Sequence, residues 1–280
     1  NFVEAPVLFD TALAQKSIDN IKGFLQNQGY FNAQVDYEVK VKNENKAIVN
    51  YTVNTGNSLL INDVTFEVPD PIIKNIIISS NKQNKLQKDA VYSHFLVAEE
   101  RMRLVNMLKN WGYYNFNNNN ISFELDTTNV YIDVKDELTG ATKTKKAVNI
   151  KIDIHDNKSK NAFKVFTIDK VMVYPDYNDS IVTCAPQVLM TEDINNINFY
   201  YLQQYINANI IDQKILLRPG STYTQKDYTQ TIRLLNDLEI FQYVRVVVLP
   251  QNDNPDNDLL NCIITLYPNK KYDFSANIDI

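Results

Sequence analysis

The chain has 280 residues, and its 28 basic and 33 acidic side chains give a net charge of −5. One domain is possible at this length, but two or three domains of roughly 70–110 residues fit it better. The interspersed charges give no basic field for nucleic acid, no apolar run approaches the roughly 20 residues of a membrane helix, and six glycines argue against phosphate-cradling loops.

The first elements in chain order form a partial unit of one helix and two strands. Asp10 or Thr11 is expected to cap a helix at residues 11–28, and Gly29 is expected to end it. Its apolar stripe comprises Leu13, Ile18, Ile21, Phe24 and Leu25. Alternating apolar and polar residues from Phe31 to Lys42, and again at residues 47–53, predict two strands with one wet face. No signal peptide is visible, and we expect a further segment upstream of Asn1.

Residues 61–154 are predicted to form a related but complete unit, with the order strand, helix, helix, strand, strand. We call the partial unit the first copy and this unit the second copy. Residues 61–69 form the first strand and residues 72–78 a short helix, and Ser93 caps a long helix that ends at Gly112. The inward side of the long helix is predicted to comprise Leu96, Leu104, Met107, Leu108 and Trp111. Strands follow at residues 121–125 and 148–154. A charged excursion at residues 136–146, predicted to be mobile, separates these last two strands.

The third copy repeats the second with an insertion. Its first strand, residues 168–175, matches residues 61–69, and Tyr223-Thr224 matches Tyr92-Ser93 as the approach and cap of the long helix. Strands at residues 243–249 and 259–266 complete this copy. The insertion is predicted to add an amphipathic helix through Ile194, Ile197, Tyr201, Leu202, Tyr205 and Ile206.

The corner between the long helix and the next strand recurs in all three copies. It reads Gly29-Tyr30-Phe31, then Gly112-Tyr113-Tyr114, and finally Glu239-Ile240-Phe241, where glycine is expected. A repeat with a period above about 50 residues indicates a row of small domains. We predict positive φ at Gly29 and Gly112, and we expect Tyr30 and Tyr113 to pack on the core of their own domain.

This repeated unit, with its GY[FY] corner and the Ile-x₂-Val openings at Ile61 and Ile168, resembles the POTRA domain. Arrays of POTRA domains form the periplasmic arms of the BamA/TamA family of outer-membrane β-barrel proteins. The opening at residues 4–10 and the helix at residues 99–103 look most like the TamA-like lipoproteins of Bacteroidota. The resemblance implies an α+β fold of tandem POTRA domains. The predicted boundaries are 1–57 for a partial domain, 58–157 for a complete one, 160–268 for a third with an insertion at 176–216, and 269–280 for the start of a barrel strand.

The same resemblance implies a function and a location. The chain would be the periplasmic part of an outer-membrane protein assembly or translocation factor, and it would bind unfolded outer-membrane proteins and a periplasmic or inner-membrane partner. Apolar residues alternate with polar ones from Tyr272 to Ile280, as in a barrel strand. A downstream barrel would then lie in the outer membrane. The alternatives are a POTRA module of a two-partner secretion transporter and one of a cell-division scaffold.

The expected binding site is an open strand edge. In the resembled family, the strand after the long helix can lie at a sheet edge and accept a client strand, which here is Phe31–Lys42. Its wet face carries Gln34, Asp36, Glu38 and Lys40. Charges on an edge strand discourage self-aggregation while leaving the backbone available.

No residue pattern indicates catalysis, a metal or a cofactor, so we do not expect an enzyme. His94 and His155 have no second ligand at helical or hairpin spacing, and Glu99-Glu100 is interpreted as a solvated helix face. Cys262 lies in phase with apolar strand residues and is expected to be a buried filler. Whether it pairs with Cys184 depends on the redox compartment.

Overall fold

The computed structural model describes residues 9–43, 46–135, 140–156, 161–177, 190–203, 206–251 and 257–269. The fold is α+β, as predicted. The chain divides into two compact units, residues 1–104 with 121–155 and residues 105–120 with 156–280. None of the described helices has the length and apolar character needed to cross a membrane. Cys184 and the strand predicted at residues 272–280 lie outside the described residues.

The first copy consists of a helix and a two-stranded antiparallel sheet. Its elements are α1 (Thr11–Asn27), β1 (Gln34–Asn43) and β2 (Lys46–Asn54). The Asp10 carboxylate caps α1 by accepting a hydrogen bond from the Ala12 N–H (2.7 Å). Leu13 and Phe24 were predicted to face inward, but they are 56% and 63% exposed. The described residues of this copy include no counterpart of the first strand and first helix of the later copies, so the apolar stripe of α1 is only partly covered.

The second copy has the predicted order of elements, with one further strand at Tyr131–Lys135 that was not predicted. They are β3 (Leu60–Glu67), α2 (Pro71–Ser79), α3 (His94–Asn110), β4 (Ile121–Asp126), β5 (Tyr131–Lys135) and β6 (Thr142–Ile154). Strand β6 lies between a parallel β3 and an antiparallel β4, and its first part pairs with β5. Residues 142–146, predicted to be mobile, therefore belong to a strand. Trp111, predicted to face inward, is 58% exposed, so that prediction was wrong.

The third copy repeats this topology. Its elements are β7 (Thr167–Tyr174), β8 (Met190–Ile194), β9 (Ile197–Tyr201), α4 (Ala208–Asp212), α5 (Gln225–Asn236), β10 (Phe241–Pro250) and β11 (Leu259–Pro268). Strand β11 lies between a parallel β7 and an antiparallel β10, as β6 does between β3 and β4. The strand–helix–helix–strand–strand repeat predicted from the sequence is confirmed.

The insertion forms a β-hairpin, so the prediction of an amphipathic helix there was wrong. Strand β9 adds to β7, and β8 pairs with β9. Asn195 and Asn196 both have positive φ (53° and 66°), the conformation of the two-residue turn that joins hairpin strands. The apolar residues after the turn alternate, with Ile197, Phe199 and Tyr201 all buried. Because Ile197 and Tyr201 are four residues apart, their spacing fits a helix as well as a strand.

The two glycine corners have the same backbone geometry, with φ of 86° at Gly29 and 93° at Gly112. The N–H of the following tyrosine donates to the carbonyl five residues earlier, from Tyr30 to Leu25 (2.9 Å) and from Tyr113 to Leu108 (3.2 Å). This bond, with a left-handed glycine before it, is the Schellman motif that ends a helix. The positive φ predicted at both glycines is present.

The third corner adopts a left-handed backbone without glycine, since Glu239 has φ of 57°. We expect Glu239→Gly to raise the free energy of unfolding by roughly 0.5–1 kcal/mol, because a side chain in this region is strained. Urea unfolding followed by circular dichroism would measure the change. Asp237→Gly is the control: Asp237 is also exposed but has φ of −63°, so glycine should lower stability there. Equal effects at the two positions would show that Glu239 is unstrained.

Candidate strand-binding surfaces

The strand after the long helix lies at a sheet edge in each copy, as the resemblance implied. In the described part of the chain, β1 pairs with β2 alone, β4 with β6 alone and β10 with β11 alone. Each of these strands therefore has one row of backbone N–H and C=O groups without a strand partner. Such rows can accept an incoming extended segment where their groups are free. On β10, however, the Tyr114 hydroxyl donates to the Val248 carbonyl and the Tyr228 hydroxyl donates to the Val246 carbonyl.

The four residues predicted for client binding all lie on β1. Gln34, Asp36, Glu38 and Lys40 are exposed and occupy alternate positions of this strand. The strand begins at Gln34 and not at Phe31 as predicted, because residues 31–33 form a turn in which the Ala33 N–H donates to the Tyr30 carbonyl (3.2 Å). The structure thus places all four residues on one face of an edge strand.

The opposite face of the β1–β2 hairpin is apolar and largely uncovered. Val35 is 2% exposed, whereas Val41, further along the same face, is 73% exposed. Val53, opposite Val35 on β2, is 44% exposed. An edge strand with an uncovered apolar face offers side-chain contacts as well as backbone hydrogen bonds.

Each glycine corner also contacts the residue immediately before the strand that opens the next copy. The Gly29 carbonyl accepts a hydrogen bond from the Leu59 N–H (3.1 Å), and the Gly112 carbonyl accepts one from the Phe166 N–H (2.9 Å). Each pair lies within a single compact unit. Tyr113 is buried and Tyr30 is half-buried. Each corner therefore ends a helix and also forms a joint, by which we mean a hydrogen-bonded connection to the start of the next copy.

The aromatic residue after each glycine corner packs on the tyrosine before the next helix cap. Phe31 stacks on Tyr92 with ring centroids 6.1 Å apart. At the other joint, Tyr114 meets Tyr223 edge to face at 5.0 Å. Burial raises the pKa of the Tyr114 hydroxyl, with a further contribution from Tyr228. That hydroxyl donates to the Val248 carbonyl (2.7 Å), so it acts as a fixed structural donor.

A cleft of about 610 Å³ lies in the first unit beside the Gly29 corner. Its walls include the aromatic residues Phe31, Tyr92 and His94. Tyr131 of β5 and Lys146 of β6 also line it, and these two residues are partners in the strand register. His94 is exposed at the start of α3, which agrees with its interpretation as a surface histidine near the end of an element.

Glu100 is fully buried, so its interpretation as part of a solvated helix face was wrong. Its carboxylate pairs with Arg103 one turn later (2.6 Å) and accepts a hydrogen bond from the Lys85 N–H (2.9 Å). Arg103 in turn donates to the Ser80 hydroxyl (3.2 Å). These interactions of Glu100 and Arg103 connect the segment after α2 to α3. A buried carboxylate with this set of partners has a structural role.

Two further titratable groups, Cys262 and Lys151, also have structural roles. Cys262 is a buried free thiol whose pKa burial raises to about 12, so it is a core filler, as expected. Lys151 bridges Glu67 and Glu124 across three neighbouring strands, and the hydrogen bond to Glu67, followed by the one to Glu124, raises its pKa. The described residues contain no cluster of three or more side chains able to hold a metal ion.

Sequence reasoning did not find the cleft, because its lining residues come from separate segments of the chain. Phe31 was singled out as a corner residue and as the start of the predicted edge strand, and Tyr92 as the residue before a helix cap. Tyr131 and Lys146 lie in the segment between the last two predicted strands, which carried no motif. Only the β5–β6 pairing, set by the fold, brings these two residues together.

Comparison with known proteins gives one family match, over residues 4–56, to the family described as POTRA, surface antigen variable number repeat. No curated protein matches the chain. Among solved structures, BamA POTRA domains 3–5 of Haemophilus influenzae are similar, at 13% identity and a TM-score of 0.44, over 94% of this chain and 83% of that one. The N-terminal domain of Omp85 from Thermosynechococcus elongatus is similar at 13% identity and a TM-score of 0.29, over 96% and 88%. CdiB from Escherichia coli is similar at 6% identity and a TM-score of 0.24, over 93% and 34%.

The family match covers the first copy, in which α1, β1 and β2 lie. The two later copies share one topology with each other, and each contains a counterpart of that helix–strand–strand group. The chain is thus an α+β protein in which residues 4–56 are similar to the POTRA family model, followed by two further units that share one topology.

Proposed function

We propose that this chain is the periplasmic POTRA region of an outer-membrane β-barrel assembly or translocation factor, closest to the TamA-like lipoproteins of Bacteroidota. It receives unfolded outer-membrane proteins as extended strands and docks a periplasmic or inner-membrane partner. A downstream barrel in the outer membrane completes the protein. The family match of residues 4–56 supports the domain type.

The observation that carries the proposal is the open edge of β1. This strand of ten residues pairs with β2 alone in the described part of the chain. Backbone pairing depends little on the sequence of the incoming strand, so one edge can serve many clients. The uncovered apolar face at Val39 and Val41 adds contacts for the alternating apolar side chains of a barrel strand.

Photo-crosslinking amino acids at Gln34 and Asp36 would test the proposal in cells. We expect adducts with unfolded outer-membrane proteins at both positions. Asp36→Pro should reduce client binding about five- to tenfold, because proline removes a backbone donor and disturbs the edge. Adducts at other surfaces of the chain but at neither of these positions would exclude β1 as the receiving edge.

Two controls separate edge pairing from charge and from damage to the hairpin. Glu38→Lys changes the charge of β1 and leaves its backbone intact, so we expect little effect on client binding. Thr52→Pro places the same residue opposite Asp36 on β2. If both proline variants lower the melting temperature equally, but only Asp36→Pro reduces binding, the β1 edge is the site. Equal loss of binding from both would instead show that an intact hairpin is needed and that neither edge is specific.

A further inference from the structure

The sheet of the third copy carries tyrosines on the face that lies opposite the core. Buried residues alternate along its strands, so the residues between them point away from the core. The outward tyrosines are Tyr174 on β7, Tyr200 on β9, Tyr243 on β10 and Tyr267 on β11. Tyr243 is 56% exposed, and the other three are half-buried. The four strands are neighbours in the sheet, in the order β10, β11, β7, β9.

The rings of these residues form one continuous band, to which Tyr177, just after β7, adds a fifth ring. The Tyr200 and Tyr174 ring centroids are 5.2 Å apart, and those of Tyr174 and Tyr177 are 6.3 Å apart. Tyr177 lies 5.3 Å from Tyr267, which lies 5.6 Å from Tyr243. We call these five residues the tyrosine band. Because each ring packs on the next, the band crosses the sheet as one ordered aromatic surface.

The tyrosine band lies at one end of the sheet. Strands β7, β9 and β11 run parallel to one another. Tyr174 is the last residue of β7, and Tyr267 is the last but one of β11. Tyr243, near the start of the antiparallel β10, is the register partner of Tyr267. The band therefore marks the end of the sheet at which the chain leaves β11.

The second copy has the same topology but no such band. At the matching end of its sheet, Glu67 is the last residue of β3 and Asp153 is the last but one of β6. Ser122 on β4 is the register partner of Asp153. Three polar residues thus stand where the third copy has Tyr174, Tyr267 and Tyr243. The shared fold does not require an aromatic surface at this end, so packing of the domain does not explain the tyrosine band.

We propose that the tyrosine band contacts the headgroup region of a phospholipid membrane. This inference rests on the proposed function, which puts a membrane barrel downstream of β11. The end of the sheet that carries the band would then be the end nearest to the bilayer. Tyrosine has an apolar ring and a polar tip, and it is enriched where membrane and water meet.

Arg245 gives the tyrosine band a cationic neighbour. It is exposed and lies two residues after Tyr243 on the same face of β10. Its register partner Thr265 is also the partner of Tyr174. Arg245 has no ion-pair partner in the part of the chain that the structure describes. A guanidinium group in this place can bind lipid phosphates while the rings enter the headgroup layer.

Sedimentation with sucrose-loaded vesicles tests the proposal on the whole chain. The vesicles contain phosphatidylethanolamine and phosphatidylglycerol, and the bound fraction gives a partition coefficient. We expect the double variant Tyr200→Ser, Tyr243→Ser to lower this coefficient about tenfold, since two rings of the band are lost. Arg245→Ala should lower it about fivefold. Circular dichroism of each variant would show that the fold is retained.

Tyr131→Ser is the matched control, because Tyr131 is 58% exposed but lies in the first unit. We expect it to leave the partition coefficient unchanged. Failure of the unmodified chain to sediment with the vesicles would overturn the proposal, as would equal effects of Tyr131→Ser and the double variant.

Two further results separate this proposal from its alternatives. Analytical ultracentrifugation without vesicles would detect self-association of the chain. If the chain self-associates and the double variant does not, the tyrosine band is an interface between two copies, and the membrane proposal is wrong. Crosslinking of clients at Gln34 and Asp36 tests the proposed function independently. Client adducts there, without vesicle binding, would overturn only the membrane contact and would leave the proposed function intact.

Discussion

Replacing Glu100 by alanine should lower the free energy of unfolding by roughly 3–5 kcal/mol, the range found when one partner of a buried ion pair is removed. The substitution leaves Arg103 without its carboxylate and the Lys85 N–H without its acceptor. Unfolding in urea, followed by far-ultraviolet circular dichroism, would measure the loss. Because the affected segment joins α2 to α3, the loss should appear in the transition of the first unit.

Glu99→Ala is the control for this experiment. Glu99 is the preceding residue on the same helix, and it is not buried, so we expect a change within about 0.5 kcal/mol. Glu100→Gln keeps an acceptor for the Lys85 N–H and should cost less than alanine. If Glu100→Ala and Glu99→Ala had equal effects, Glu100 would be a solvated residue and its burial in the fold would be wrong.

Alanine at Gly29 should cost about 3 kcal/mol of stability, from the steric clash and the positive-φ strain together, and is expected to be the most damaging of the glycine substitutions. A Cβ at Gly29 would lie 1.9 Å from the Tyr92 carbonyl oxygen, so the backbone itself would have to move. At Gly112 the nearest atoms are side-chain methyl groups of Thr222 (2.6 Å) and Val165 (2.7 Å), which can shift more easily. The strain of a positive φ adds about 1 kcal/mol at either position. In thermal and urea unfolding, the Gly29→Ala variant should have a lower melting temperature and a lower free energy of unfolding than the Gly112→Ala variant.

Gly220→Ala and Gly23→Ala separate the clash from the backbone strain. Gly220 has φ of 80° with nothing within 4 Å of its added Cβ, so alanine there reports the strain alone. Gly23 lies in α1 with open space around it, and alanine should stabilise the helix by about 0.5–1 kcal/mol. Equal losses at Gly29, Gly112 and Gly220 would contradict the expectation that the close approach to Tyr92 matters.

Local patterns predicted the elements whose determinants lie within a few residues of one another. Asp10, Ser93 and Thr224 each accept hydrogen bonds from N–H groups of the first helical turn, because a cap needs only its own neighbours. The same holds for strands β3 and β7 and for the two glycine corners. These features were sufficient to predict the repeated unit and its α+β class.

Features that depend on distant segments were not predictable in the same way. The burial of Glu100 depends on Ser80 and Lys85, which come from another part of the copy. The sequence of α1 has the amphipathic pattern of a helix that is covered by other elements. Leu13 is nevertheless exposed, because the described part of the first copy contains no strand or second helix that covers this side of α1. The β8–β9 hairpin could have been found from Asn195-Asn196, but the turn signal was outweighed by apolar spacing that also fits a helix.

The joints at Gly29 and Gly112 affect how the protein can be divided into fragments. The boundaries of the compact units differ from those of the sequence copies. Residues 105–120 lie in the second copy of the sequence, but they belong to the same compact unit as residues 156–280. A fragment that begins at residue 156 would lose the acceptor of the Phe166 N–H and would leave the Tyr223 ring without Tyr114. A fragment that begins before Val105 would keep both. It would also carry residues 121–155, which belong to the first unit, so no single cut between residues 104 and 156 separates the two units.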